Sequence, residues 1–318
     1  MAGAALVAGA ALQAGPASEQ PAAAATNAWL PLTSSPLVRG EVGAARAGRY
    51  IYVVGGAGPS TTTDHAARYD IERDRWKVVE SMPIAVNHPA VTSYRGKIYV
   101  YGGYMSDGGV TAALQRYSPE KDRWKQLPSS DLARGAAGLG AIKGKLYAVG
   151  GADRSTASIR SLEVYDIDRQ RWKDGPRMGV GRNHIGVTVS SGRLYVLGGR
   201  NDSTFDLAVA ERYDPKRRRW TRLPDMEKPR SGIAAVTVKG AVVVFGGEEN
   251  PSATIREVEL FNPRASTWTR LPDMLTPRHG LGGAARGRRV FALEGGPKRG
   301  GSASNTLEYL DVPRSLAP

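Results

Sequence analysis

Arginine and histidine recur at fixed distances from tryptophan along this chain. Ten residues after each Trp stand Arg39, Val86, Arg134, Arg182, Arg230 and Arg278. A guanidinium is a planar fork of five donors that fits carboxylate, phosphate or sulfate. Five of them on one ring would line an anion-binding mouth. The same five could instead serve the fold, by bonding loop carbonyls or an acid of a neighbouring unit. Three of the four His sit beside these positions: His88 and His184 twelve after their Trp, His279 eleven after. Asn87 and Asn183 precede the first two. An imidazole titrating near pH ~6.5 suits proton transfer, so His88, His184 and Glu248 are the candidate catalytic residues if the chain is an enzyme. Polar capping of strand starts is the alternative. The ligand-binding candidates are Arg39, Asn87, Arg134, Arg182, Asn183, Arg230, Arg278 and His279. No metal is expected: His-x-His and His-x-x-x-His spacings are absent, and His from alternating units would stand far apart across a mouth.

These residues need a scaffold that repeats, and the sequence supplies one. Trp29, Trp76, Trp124, Trp172, Trp220 and Trp268 are separated by 47 residues and then by 48 each time. Gly pairs end at Gly56, Gly103, Gly151, Gly199, Gly247 and Gly296, each 26 residues after a Trp to the first Gly, and 27 in the last case. An aromatic stands seven before the Trp at Tyr69, Tyr117, Tyr165, Tyr213 and Phe261. Three ladders in one phase define a repeat. In the second unit, 90–94, 97–103, 113–117 and 123–127 read as four short strands rich in Val, Tyr and Ile, punctuated by Gly and Pro. A four-stranded sheet repeated every 48 residues is a propeller blade.

The runs KIYVYGG…RYSPEKDRW, KLYAVGG…VYDIDRQRW, RLYVLGG…RYDPKRRRW and VVVFGG…LFNPRASTW resemble the kelch repeat. The likeness covers residues 29 to about 312, and it implies an all-β, six-bladed kelch propeller over 26–318. In it the Gly pair, Tyr and Trp are core. Trp29 precedes any Gly pair, and no Trp follows TLEYLDV, where Leu310 fills the aromatic slot. The sixth blade is therefore expected to close by pairing the N-terminal strand with the C-terminal strands, which leaves no open edge.

Residues 1–25 form a leader of small and apolar residues, AALVAGAALQA followed by Pro16, with the first Lys or Arg at Arg39. It reads as a signal peptide lacking its basic start, cut after Ala14 or Ala17, which predicts an exported, periplasmic or secreted protein; a disordered Ala-rich leader is the alternative. Its apolar run is well short of the ~20 residues that cross a bilayer.

Without Cys, disulfides, thiol catalysis and Cys-ligated zinc are excluded. The copper and Tyr–Cys crosslink of galactose oxidase, another kelch propeller, are excluded too. No P-loop, dinucleotide fingerprint or Ser-His-Asp pattern is present, and no cofactor is expected. A net charge of +14 favours anionic partners, but no basic–aromatic interleaving points to nucleic acid. The loops between second and third strands offer Asp64, His65, Asp107, Asp153, Arg154, Arg200, Asp202, Asp206, Glu248, Glu249, Lys298 and Arg299, a mixture suited to a sugar or other polar ligand. The expectation is a monomeric module that binds a protein or an anionic carbohydrate through its channel-mouth loops. The alternative follows from a resemblance to the bacterial N-acetylneuraminate epimerases, six-bladed kelch propellers too, and implies cofactor-free mutarotation of an acidic sugar.

Overall fold

The computed structural model of the protein describes residues 1, 3, 28–249, 251 and 253–316, so the leader expected over 1–25 lies outside the described residues except for its positions 1 and 3. The chain is built from six four-stranded antiparallel sheets. Blade two consists of Ala90–Tyr94, Lys97–Tyr101, Leu114–Ser118 and Arg123–Leu127, within two residues of the strands read from sequence, the second ending before its Gly pair. Blades one, three, four and five repeat this order, with first strands at Gly43–Ala47, Gly138–Ile142, Gly186–Ser190 and Ala234–Val238. The second strands are buried almost throughout, as in Ala241–Phe245, whereas the fourth strands alternate towards solvent. Among the described residues no helix is long and apolar enough to cross a membrane.

Blade six is stitched from both ends of the chain. Gly282–Arg286, Arg289–Leu293 and Leu307–Asp311 supply three strands, and Leu30–Pro31 supplies the fourth, with Leu30 opposite Tyr309. Each Trp in the ring also latches to the blade before it. The indole of Trp124 donates to the Glu80 carbonyl at 2.7 Å, and that of Trp220 to Pro176 at 2.8 Å. Trp29 completes the circle by donating to Pro272 at 2.9 Å. The aromatics stack in tilted pairs within and between blades, Tyr117 with Trp124 of its own blade at 5.1 Å and with Tyr52 of blade one at 5.5 Å. Such pairs add about 0.5–1.5 kcal/mol each beyond area burial.

The Gly pairs explain themselves in contact terms. Gly102 has φ +64°, and a Cβ there would meet the Arg134 carbonyl of the next blade at 2.4 Å. In blade six the slot is filled differently. Glu294, with φ 54° and no exposed surface, stands where the first Gly stands elsewhere, and Gly295 where the second does. This accounts for the odd 27-residue spacing: the sixth pair in structural register is Glu294-Gly295, one residue earlier than the sequence ladder suggests.

Glu294 is there for Arg39. The five ladder arginines lie beneath the mouth, at most 2% exposed, each held by a carboxylate. Arg182 meets Glu211 at 2.5 Å, Arg230 meets Glu259 at 2.5 Å and Arg278 meets Glu308 at 2.9 Å. Arg134 pairs with Glu163. In these four the acid belongs to the third strand of the blade that follows the arginine. Blade one has Ala67 at that place, and Arg39 reaches back to Glu294 at 2.8 Å instead. Blade two has Val86 for the arginine and Gln115 for the acid, the latter bonding Ile84. Other guanidinium donors take backbone carbonyls, as Arg39 does with Gly55 and His65, while the Arg134 Nε donates to the Tyr101 hydroxyl at 3.2 Å. Arg39, Arg134, Arg182, Arg230 and Arg278 are therefore spent on the fold. The expectation that they bind ligand is corrected: they are desolvated, ion-paired and at most 2% exposed, with the Arg182 Nε left without a hydrogen-bond partner in the interior.

Two outcomes are expected. Removing residues 305–318 takes away the strand on which Leu30 pairs, so the truncated chain should lose cooperative unfolding. A sharp transition at the intact protein's midpoint would refute closure by these strands. Arg230→Ala should cost about 3–5 kcal/mol by stranding the buried Glu259. The pair Arg230→Val with Glu259→Gln, which copies blade two, should recover most of that loss in urea unfolding. A double variant as unstable as the single one would show that the pairing is not what fixes these residues.

Candidate functional site

The segment before each first strand runs around one end of the channel. Its last residue but one is Glu41, His88, Ala136, His184, Gly232 or Gly280, all in the left-handed region, with φ from 50° to 65°. Backbone bonds link them in sequence: His88 N to Glu41 O at 2.8 Å, Ala136 to His88 at 3.2 Å, His184 to Ala136 at 2.9 Å, Gly232 to His184 at 2.9 Å and Gly280 to Gly232 at 2.8 Å. Val42 N closes the circle onto Gly280 O at 3.1 Å. The residue before each of these pairs with the residue just after a Gly pair, as Asn87 with Tyr104, Asn183 with Arg200, and Ser231 with Glu248. Two concentric rings of side chains thus face the mouth, and blades differ only in which side chain each ring carries.

Six of these side chains form a circuit. Glu41 accepts from His88 Nε2 at 2.8 Å and from His279 Nδ1 at 3.0 Å. The His88 and His184 rings meet edge-on at 4.6 Å. His184 Nε2 accepts from Arg200 at 2.9 Å, Arg200 pairs with Glu248 at 3.1 Å, and Glu248 lies 3.8 Å from His279. Asn87 and Asn183 fix the imidazoles, each taking a bond from Nδ1 of the following His at 2.5 Å. Their amides in turn donate to Thr62 and Ser158. Above the circuit opens a cavity of about 950 Å³, with Thr62, Tyr104, Met105 and Arg299 on its walls.

The bonds set the proton states. His184 donates from Nδ1 and accepts at Nε2, which is the neutral tautomer. Burial, together with the positive charge of His88 and Arg200, holds its pKa well below the usual histidine value. His279 presents both nitrogens to acceptors, Glu41 and the Lys298 carbonyl at 3.0 Å. Burial pulls its pKa down, but these partners outweigh that and raise it. Burial likewise pushes the Glu41 carboxyl up, and the charge of His88 with hydrogen bonds from His279 and His88 overrides it, leaving Glu41 well below the ordinary range. One base and one acid therefore stand on the same floor.

The structure brings His88, His184, His279, Asn87, Asn183 and Glu248 together here. The separation expected of the three His is corrected: His88 and His184 reach over the small Ala136 and touch. Among the described residues no group of three His, Asp or Glu is arranged to hold a metal ion. Other loop residues serve locally, Asp153 bonding Ser155 at 2.7 Å and Asp202 bonding Ser158 at 3.1 Å. His65 stands apart, 56% exposed. Sequence reasoning missed Glu41 and Tyr104 and gave Arg200 no special weight. Glu41 could have been found, since it stands twelve after Trp29, in the slot of His88 and His184.

Comparison with known proteins places the fold. A family model described as the attractin/LZTR1 β-propeller matches residues 51–282. The chain belongs to that family. It is a kelch-repeat propeller: a stretch of 80 residues is 34% identical to Kelch-like protein 15 of Danio rerio, covering 25% of this chain and 13% of that protein. A stretch of 75 residues is 35% identical to an F-box/kelch-repeat protein of Arabidopsis thaliana, covering 24% of this chain and 19% of that protein. The likeness to these relatives thus spans less than a fifth of their length. The solved structure of YjhT superposes with a TM-score of 0.75 at 15% identity, over 87% of this chain and 95% of that one, and shares the fold.

The pH dependence follows from the directions above. His184 is depressed, so the stability it leaves intact above its unfolded pKa of ~6.5 is lost as pH falls below that value. His279 is raised, so its contribution is complete below ~6.5 and fades as pH rises through its higher folded value. Glu41 is depressed, so its contribution is present above its unfolded pKa of ~4.5 and fades as pH falls through its lower folded value. In urea unfolding, His184→Gln should gain on the wild type as pH drops from about 7.5 to about 5.5. A difference independent of pH would contradict the neutral assignment.

Proposed function

We propose that this kelch propeller is a binding module whose mouth takes a polar ligand, or the polar tip of a partner, carrying an anionic group beside hydroxyl or amide donors. The observation that carries the reading is the circuit Glu41–His88–His184–Arg200–Glu248–His279 on the floor of the 950 Å³ cavity. Cations at Arg200 and Arg299 suit a carboxylate. Glu248 Oε2, buried and without a hydrogen-bond partner, suits a ligand donor. The cavity has the volume of ordinary small-molecule sites.

A second reading rests on the opposed proton states of His184 and His279. A cofactor-free sugar mutarotase needs a base and an acid within reach of the anomeric hydroxyl and ring oxygen. On that reading His184 takes the proton, His88 or His279 returns one, and Glu248 orients the sugar. The resemblance to N-acetylneuraminate epimerases makes an acidic sugar the substrate to try first.

One experiment separates the readings. Thermal shift against acidic sugars and acidic or hydroxyl-rich peptides should find a ligand whose affinity falls at least about tenfold in Arg200→Gln and in Glu248→Gln. With N-acetylneuraminate, NMR exchange between anomers then decides on catalysis. Acceleration that disappears in His184→Gln while binding survives supports the mutarotase; binding without acceleration leaves the module. If no compound of either class responds, or if affinity is the same in all variants, the mouth is not the site.

A further inference from the structure

The opposite side of the ring plays no part in that reading, and it carries the charge. Six inner turns join first to second strands beside the channel, and five outer turns join third to fourth strands. Counted from the last residue of one strand to the first of the next, the inner turns contain ten Lys and Arg and no acidic residue. The outer turns contain eleven basic and eight acidic residues. Nearly the whole net charge of +14 therefore lies on this one face.

Most of its acids are already engaged. Lys145 pairs with Asp166 at 2.5 Å, Arg193 with Asp214 at 3.2 Å, Arg289 with Asp311 at 2.8 Å and Arg49 with Asp70 at 3.1 Å. The turn tips Arg95, Lys143, Lys239 and Arg288 remain, and among the described residues none has an ion-pair partner. Arg95, Lys143 and Lys239 have φ of 47°, 46° and 50°, each followed by a Gly also at positive φ. These are type I′ turns, in which Asn, Asp or Gly fits most easily at the first position. A cation there carries backbone strain, and the fold returns only the contact of Arg95 with the Tyr94 ring at 5.3 Å. Between blades five, six and one the face also opens into a cavity of about 650 Å³. Lys239, Arg286, Arg288, Arg289 and Arg314 line it against the single acid Asp311. The Nε of Arg288 is buried there without a partner.

We propose that this face docks on an anionic phospholipid membrane. The first strands pack side by side around the channel, so their six turns to the second strands surround it on one face. A planar surface meets all of them at once, whereas a linear polyanion could follow only part of the circle. The exposed large apolar side chains among the described residues, Met1, Val38, Val78, Phe205 and Leu275, lie outside these turns, so contact is electrostatic and salt-dependent. The cavity beside Arg288 accommodates one headgroup phosphate. The histidine mouth then faces away from the bilayer, open to its own ligand.

Co-sedimentation with vesicles tests this, using phosphatidylcholine alone or with about a third phosphatidylglycerol, at low and moderate salt. The protein should bind only the anionic vesicles and release as salt rises. The variant Arg95→Asn, Lys143→Asn, Lys239→Asn should bind about a hundredfold more weakly, with unchanged or higher Tm, because Asn suits these turns. A variant with the same loss of charge on outer strands, Lys77→Gln, Lys125→Gln, Lys173→Gln, should lose less than about tenfold. Absence of binding to anionic vesicles, or equal loss in both variants, would overturn the proposal. So would capture of polyphosphate or a sulfated polysaccharide at salt concentrations where vesicles are not bound.

Discussion

A buried guanidinium without a carboxylate is among the costliest defects a small domain can carry, and this propeller buries five guanidiniums and gives each its acid. Each arginine stands at the base of the loop entering a blade and is held by an acid and by carbonyls of that blade or the one before it. The pair fixes the loop, and the loop fixes the left-handed residue that follows. That residue joins the circle of backbone bonds at the mouth. The positions of His184 and His279 are thus set from below by salt bridges they never touch, while His88 stands over the neutral Val86 and Gln115 of blade two.

Above that rigid circle the blades are free to differ. Ala136, Gly232 and Gly280 leave space, and Glu41, His88 and His184 fill it from the same slot of their own blades. Arg200 and Glu248 come from the adjoining ring, and His279 from one residue earlier in its loop. A repeated scaffold has in this way produced an asymmetric site with a neutral imidazole on one side and a protonated one on the other. Proton affinity is assigned by which neighbours donate and which accept.

The sequence was most legible where one residue type is forced by packing. Trp and Gly recur because indole latches and close backbone approaches admit little else, so blade number, strand limits and ring closure were all readable. The arginine ladder was visible as well, but its purpose was not, because the acids that neutralise it lie 29 or 30 residues away in four blades and 255 in the fifth. Glu294 was hidden more thoroughly. It replaces a glycine, so it looked like a slip in the ladder when it is a substitution within it. The histidines were found and their separation misjudged, since spacing along a chain gives no measure of the width of a channel.

The location of the carboxylates has a consequence for how such a ring can be taken apart. Blades three, four and five each contain both the acid and the carbonyls that hold the arginine at their entrance, so they are self-contained units of exchange. Blades six and one are not, because Arg39 depends on Glu294 across their junction. Shuffling or duplication of single blades is compatible with the middle of the chain, while the two ends must be inherited together. New termini opened between blades three and four, with the present ends joined, would leave that junction whole.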